Sequence, residues 1–264
     1  MLKVKKITIL GGHDKSGNKE MEKVELIPGE IVCIVGPTGS GKSRLLADIE
    51  YIAQKDTPTR RTILVNDNVP DISYRLSFEE KLVAQLSQNM NFIMDSTVEE
   101  FISMHAECRG VVDIKETVKN IVKKANELAG EKFTEETPLT ALSGGQSRAL
   151  MISDTAYLSI SPIVLIDEIE NAGIDRKRAL DLLVTKEKIV LMATHDPILI
   201  LMGHKRLVIK NGGISKVLFT SKEEKAKLKE LENIDNYLLN IRSKLRLGEH
   251  LFLDKKEDVV QLKE

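Results

Sequence analysis

The sequence predicts an α/β domain whose centre is a largely parallel β-sheet covered by helices. Three observations predict it. Short aliphatic runs alternate with longer segments of helical period through most of the 264 residues, which is the pattern of such a sheet. Ile31-Val32-Cys33-Ile34-Val35 is apolar at every position, as expected of a strand buried on both faces. A glycine-rich loop follows that strand at once, and a segment that continues as a helix follows the loop; this order is the context a phosphate-binding loop requires.

The elements can be justified in order. Residues 3–10 alternate well enough for a strand, and Gly11-Gly12 with Ser16-Gly17-Asn18 supplies turn chemistry behind it. A second strand is expected over residues 20–26, ended by Pro28-Gly29. Residues 62–65, 163–166, 189–192 and 206–209 read as further strands, and Asn211-Gly212-Gly213 reads as a hairpin turn into residues 214–219. Between residues 97 and 129 the period changes: Val98, Phe101 and Ile102, then Ile114, Val118, Ile121, Val122, Ala125 and Leu128 recur at helical spacing. Residues 89–140 are therefore expected to form a helical subdomain inserted into a core of residues 1–88 and 141–219. After Phe219 the composition shifts to lysine, glutamate and leucine, so residues 220–264 form a charged helical extension. Leu231, Ile234, Leu238, Ile241 and Leu245 are spaced by threes and fours. About two heptads fall short of an independent coiled coil. A helix packed on the core is expected, with a dimerisation or partner helix as the alternative.

Lysine plus arginine number 39 against 40 aspartate plus glutamate, a net charge of -1. That balance argues against nucleic acid binding through overall basicity, and no nucleic acid partner is expected. With 42% hydrophobic and 30% charged residues, neither a disordered nor a membrane-embedded class fits. The longest aliphatic runs, Ile163-Val164-Leu165-Ile166 and residues 198–202, fall far short of the roughly 20 residues that span a bilayer. The start, Met1-Leu2-Lys3-Val4-Lys5-Lys6, lacks the apolar stretch of a signal peptide. Cys33 and Cys108 make no disulfide framework and suit a reducing compartment; a strand and a helix are expected for them, and no role. A soluble, cytoplasmic protein is the expectation.

Gly36-Pro37-Thr38-Gly39-Ser40-Gly41-Lys42-Ser43 matches G-x-x-x-x-G-K-[ST] in full, and Arg44 continues into the helix. Glycines let successive backbone N–H groups converge on phosphate oxygens, and the helix N-terminus adds the positive end of its dipole. Lys42 is expected to reach the β- and γ-phosphates and the Ser43 hydroxyl to ligate Mg2+. A second acidic motif completes the chemistry. Ile163-Val164-Leu165-Ile166-Asp167-Glu168 delivers two carboxylates at the end of a buried strand, where open α/β sheets bind ligands. Asp167 would help hold the magnesium ion, directly or through a ligating water, and Glu168 would orient and deprotonate the attacking water.

Between these motifs lies Leu142-Ser143-Gly144-Gly145-Gln146, and with it the chain resembles the ATP-binding cassette (ABC) ATPases. Gln88 before Asn89-Met90-Asn91-Phe92 is similar to the family's glutamine loop. Thr194-His195-Asp196 is similar to its switch histidine, and residues 205–214 to its closing hairpin. The resemblance covers roughly residues 1–219. It implies a phosphate-loop NTPase with an ABC-type core, in which a mostly parallel sheet is joined by an N-terminal antiparallel β part. It further implies a head-to-tail dimer with ATP between protomers, pairing either two copies or this chain with a related ATPase subunit. Ser143, Gly144, Gly145 and Gln146 of one chain would close over the nucleotide on the other's loop, aided by the dipole of the helix they open. Gln88 would touch the magnesium ion or the water, His195 would contact the γ-phosphate, and Asp175, in residues 171–175, would cross the interface.

The chain departs from the family pattern in places. Its first aromatic residue is Tyr51, whereas family members usually stack adenine on an aromatic just after the first strand. The only nearby π-system is His13. Loss of stacking removes roughly 1–3 kcal/mol, so looser base discrimination is expected. No proline follows Glu168, Asp175 lies eight residues after Asp167, and the helix after the signature lacks the usual basic pair. Glu168 and His195 lie somewhat close, 27 positions apart.

Two roles fit. As the separate ATP-binding subunit of a transporter, the chain would work with membrane-spanning partners at the inner face of the cell membrane. The glutamine loop, with Phe92 and Thr97-Val98, is transporter-like; a partner's short helix would dock in the groove between the core and the helical subdomain, and Gln88 would couple hydrolysis to its movement. Alternatively, dimer closure would remodel a soluble client complex, a role motivated by the altered loop after Glu168, the missing adenine aromatic and the heptad-like tail. A DNA-repair clamp is disfavoured for want of a long coiled-coil insertion and of net basic charge.

Overall fold

The computed structural model describes residues 3–76, 81–87, 92–167 and 174–251. The chain divides into two compact units after Thr220. In the first, a six-stranded sheet has the order β5-β6-β7-β3-β8-β9. Its strands are β3 (Ile31–Val35), β5 (Val83–Leu86), β6 (Ile163–Asp167), β7 (Ile189–Ala193), β8 (Lys205–Lys210) and β9 (Gly213–Phe219). All pairs are parallel except β8–β9. A second sheet, antiparallel, joins β1 (Ile7–Leu10) to β2 (Lys23–Leu26) and β4 (Thr62–Val65). The α/β class and both sheet types agree with the sequence.

The all-apolar strands are explained by period two. Cys33, Val164, Ile166, Val190 and Met192 face one core, and Val32, Ile34, Leu165, Ile189 and Leu191 face another. The first core continues through α3 (Val98–Cys108), α4 (Ile114–Leu128) and α5 (Gly144–Tyr157). The second takes in the antiparallel sheet and the inner face of α1 (Lys42–Glu50) through Leu45, Leu46 and Ile49. Helix α3 begins on a capping box: Thr97 Oγ1 accepts from the Glu100 N–H at 3.2 Å, and Glu100 Oε2 accepts from the Thr97 N–H at 2.8 Å. The remaining helices are α2 (Ser73–Leu76), α6 (Arg176–Thr185), α7 (Pro197–Met202) and α8 (Lys222–Arg246).

Three features differ from the sequence reading. Strand β5 was not anticipated; Val-Ala-Gln-Leu has no clear alternation, and its pairing with β6, Val83 opposite Ile163 through Leu86 opposite Ile166, makes it a strand. Strands β1 and β2 are shorter than expected and start at Ile7 and Lys23. Of the expected turn residues, Ser16-Gly17-Asn18 make the turn and the Gly11-Gly12 pair does not. The turn lies further on, where the Asp14 N–H donates to the Asn18 carbonyl at 2.8 Å. Gly12 sits where a Cβ would lie 1.8 Å from the Thr59 carbonyl oxygen, so only glycine lets the two backbones meet. The hairpin turn between β8 and β9 is as expected, with Asn211 at φ 50° and Gly212 at φ 88°, the left-handed pair of a type I′ turn.

In the second unit α8 runs for 25 residues from a capping box between Ser221 and Glu224. Cys33 lies in β3 and Cys108 at the end of α3, the strand and helix expected. Among the described residues no helix is long and apolar enough to cross a membrane.

Candidate nucleotide site

The register of the parallel sheet assembles the site. Asp167 on β6 and Ile34 on β3 both pair with Ala193 on β7. The loop leaving β3 at Gly36, the carboxylate of Asp167 and the turn holding His195 therefore share the C-terminal edge of three adjacent strands. Parallel pairing alone places them there, since all three strands end on the same side.

The loop is shaped for close backbone approach. Gly41, the N-cap of α1, has φ 108°, and a Cβ there would lie 2.8 Å from the Gly212 Cα. Both the left-handed torsion and the neighbour require glycine. No side chain caps α1, so its first N–H groups are left for a ligand or solvent. Lys42 Nζ donates to the carbonyls of Gly36 at 2.8 Å and Pro37 at 3.2 Å, which holds its cation over the loop. Pro37, Thr38, Gly39, Ser43 and Arg44 are exposed, whereas Ser40 is buried and its Oγ has no hydrogen-bond partner. Backbone donors, a cation and an unpaired buried hydroxyl fit a polyphosphate. The Ser43 hydroxyl and the Asp167 carboxylate are the hard oxygen donors that magnesium takes.

Beside the loop is a cavity of about 190 Å³ walled by His13, Asp14, Arg44, Pro58, Thr59 and Gly212. The His13 N–H donates to the Thr59 carbonyl at 2.8 Å, while His13 Nδ1 is buried without a partner. Asp14 Oδ1 accepts from the N–H groups of Ser16 and Asn18. The Asn18 N–H, foremost, holds this carboxyl below the ordinary range.

His195 is exposed at the end of β7. The following Asp196 fixes its turn: its N–H donates to Thr194 Oγ1 at 3.0 Å, and its Oδ1 accepts from the N–H groups of Ile198 and Leu199. Asp175 is the N-cap of α6, where its side chain accepts from the Arg178 N–H at 3.0 Å. Ser143 is the N-cap of α5 and is exposed with Gly144. Gln146 completes that cap: its Oε1 accepts from the Ser143 N–H at 2.8 Å, and the Ser143 Oγ accepts from the Gln146 N–H at 3.3 Å. Gly145 lies in the first turn of the same helix. Gln88 and Glu168 lie outside the described residues.

Residues that sequence reasoning did not single out also meet here. Lys15 Nζ donates to the Gly39 carbonyl at 2.8 Å. Arg176, next to Asp175, pairs with Asp196, next to His195. Only the positions flanking known motifs hinted at the second pair; nothing local marked the first.

A strand–loop–helix phosphate site at the carboxyl edge of a parallel sheet, with an acidic strand end beside it, defines a phosphate-loop nucleotide-binding protein. Residues 22–171 match the ABC transporter family model. The chain belongs to that family and is one of its ATP-binding proteins. It is 53% identical over 251 residues, 95% of this chain and 96% of the relative, to an uncharacterised ABC transporter ATP-binding protein of Methanocaldococcus jannaschii. It is 28% identical over 201 residues, 72% of this chain and 68% of the relative, to an energy-coupling factor transporter ATP-binding protein of Clostridium perfringens. The fold is similar to that of cbiO1 from Clostridium perfringens, part of the ABC transporter complex cbiONQ. The TM-score there is 0.62 at 20% identity, covering 92% of this chain and 100% of that one. It is also similar to an ATP-binding cassette solved as a dimer in a post-hydrolysis state with ADP and phosphate. That match has a TM-score of 0.59 at 22% identity and covers 81% of this chain and 99% of that one.

Proposed function

We propose that this chain hydrolyses ATP with magnesium in a head-to-tail dimer and drives a membrane transporter as its separate ATP-binding subunit. The observation that carries the reading is the register that sets the phosphate loop, Asp167 and His195 on one sheet edge. Lys42 and the α1 N-terminus bind and orient the triphosphate. Ser43 and Asp167 would hold magnesium, with Gln88 on the ion or on the water, and the ion would supply positive charge against the triphosphate. Glu168 takes the proton of the attacking water as the water oxygen bonds the γ-phosphorus, and the bond to the ADP oxygen breaks. His195 steadies that water and the γ-phosphate. Ser143 and Gly144, exposed at the start of the 14-residue α5, complete the partner's site in trans, and Asp175 crosses the same interface.

The base would occupy the cavity that His13 helps to wall, whose lining has no Phe, Tyr or Trp ring. Residues 89–140 act as the helical subdomain that couples hydrolysis to the membrane-spanning partner at the cytoplasmic face. Support comes from the transporter subunits among its relatives. The test is the solution mass of Glu168→Gln with and without Mg-ATP. A doubling with ATP is expected, and an unchanged monomer mass overturns the sandwich dimer. Co-purification with a membrane-spanning chain from detergent extracts is expected too; a stable complex confined to the soluble fraction would establish a soluble client instead.

A further inference from the structure

Arg61 is wholly buried, and its two carboxylate partners, Glu20 and Asp48, each have side chains 1% exposed. Arg61 Nε and Nη2 donate to Glu20 at 2.7 and 2.6 Å, and Nη1 donates to Asp48 Oδ2 at 2.7 Å. Nη2 also donates to the Gly212 carbonyl at 2.8 Å. A buried ion triad is weak as a source of stability, because desolvation offsets its attraction. Its geometry is more telling, since every arm leads to the phosphate loop.

We infer that Arg61 is a positioning residue for the phosphate loop, an inference that rests on that loop binding nucleotide. Asp48 lies on α1, the helix that carries Lys42 and Ser43, so one arm fixes the body of that helix. A second arm runs through one residue, Gly212: Arg61 grips its carbonyl, and its N–H, in the preceding peptide, donates to the Ser40 carbonyl at 2.6 Å. Gly212 is also the neighbour against which Gly41 is pressed. The third arm holds Glu20, whose oxygens accept from the Gly12 and Ile214 N–H groups at 2.8 and 2.6 Å. Those contacts anchor the segment from which Lys15 reaches the Gly39 carbonyl. The planar fork of arginine makes all these bonds at once; a lysine keeps the charge but not the fork. The loop is thereby preorganised, so less ordering opposes ligand binding.

The test titrates ADP with magnesium into the full chain by calorimetry, at a temperature where each variant is more than about nine-tenths folded. Under that condition coupling to unfolding changes Kd by only about a tenth. Arg61→Lys is expected to raise Kd about 10-fold or more, with binding stoichiometry near that of the wild type. Asp48→Asn, which removes a charge with little change of shape, is expected to raise it about 3-fold. A merely structural role lowers the melting temperature and the fraction of competent sites without moving Kd. A Kd within about twofold of the wild type in folded Arg61→Lys overturns the inference. Where that variant does not fold, the same result in Asp48→Asn overturns it. Binding by the wild type with loss in Lys42→Ala keeps the nucleotide reading separate. A wild type that binds no ADP overturns both.

Discussion

Arg176, the first residue of α6, forms an ion pair with Asp196, the residue after His195. The pair is mostly buried, with side chains 21% and 15% exposed. It links the start of α6, where Asp175 caps the helix, to the turn that presents His195 beside the phosphate loop. Asp196 serves two ends, because its other oxygen caps α7.

That division makes the link testable. Asp196→Asn keeps an oxygen for the Ile198 and Leu199 N–H groups and removes the charge facing Arg176. Stability should fall by about 1 kcal/mol or less, as for a partly exposed pair. Hydrolysis at saturating ATP should fall about 5- to 10-fold, with nucleotide Kd within about twofold, since the link orients His195 rather than the loop. Arg176→Met should match it, and the double variant should be no worse than either. Unchanged turnover in both single variants would sink the idea.

Ser143 has a local duty as the α5 cap and a proposed duty in trans, and one substitution separates them. Ser143→Ala should cost about 1 kcal/mol through loss of the cap. Ser143→Asp caps as well as serine and suits the helix dipole. It should therefore keep the melting temperature and ATP affinity, while its carboxylate repels the γ-phosphate and lowers hydrolysis at least about 10-fold. Normal hydrolysis by folded Ser143→Asp would remove the trans role.

Lys188 lies away from this chemistry, at the entrance to β7. It is 7% exposed, and its Nζ donates to the Ser159 and Ser161 carbonyls at 2.6 and 2.8 Å. Burial lowers its pKa from 10.5 to about 8. Between those values the unfolded chain keeps a proton that the folded chain has shed, so stability rises with pH there. Below pH 8 both states are protonated, and the cost of burying the charge is felt in full. Relative to Lys188→Met, the wild type should gain about 3 kcal/mol between pH 8 and 10.5. Melting temperatures of the two proteins across that range decide it; a constant difference refutes the depressed pKa.

Much of the fold and site was legible because it is written in contiguous residues. The phosphate loop reads from glycine spacing, and the two-faced strands β3, β6 and β7 read from unbroken aliphatic runs. The left-handed turn at Asn211-Gly212 follows from local torsional preference. Each depends on chemistry between near neighbours. Other features escaped because their causes lie far along the chain. Strand β5 exists through its pairing with β6, some 80 residues later.

By itself, then, the sequence determined which groups could bind a nucleotide and which strand ends would carry them, since backbone sterics and side-chain chemistry act locally. The tertiary structure alone decided how those groups are held. Arg61 meets Gly212 across 151 positions, and Arg176 meets Asp196 across 20. Such bonds form only after packing has removed water from between distant segments, which no local pattern records.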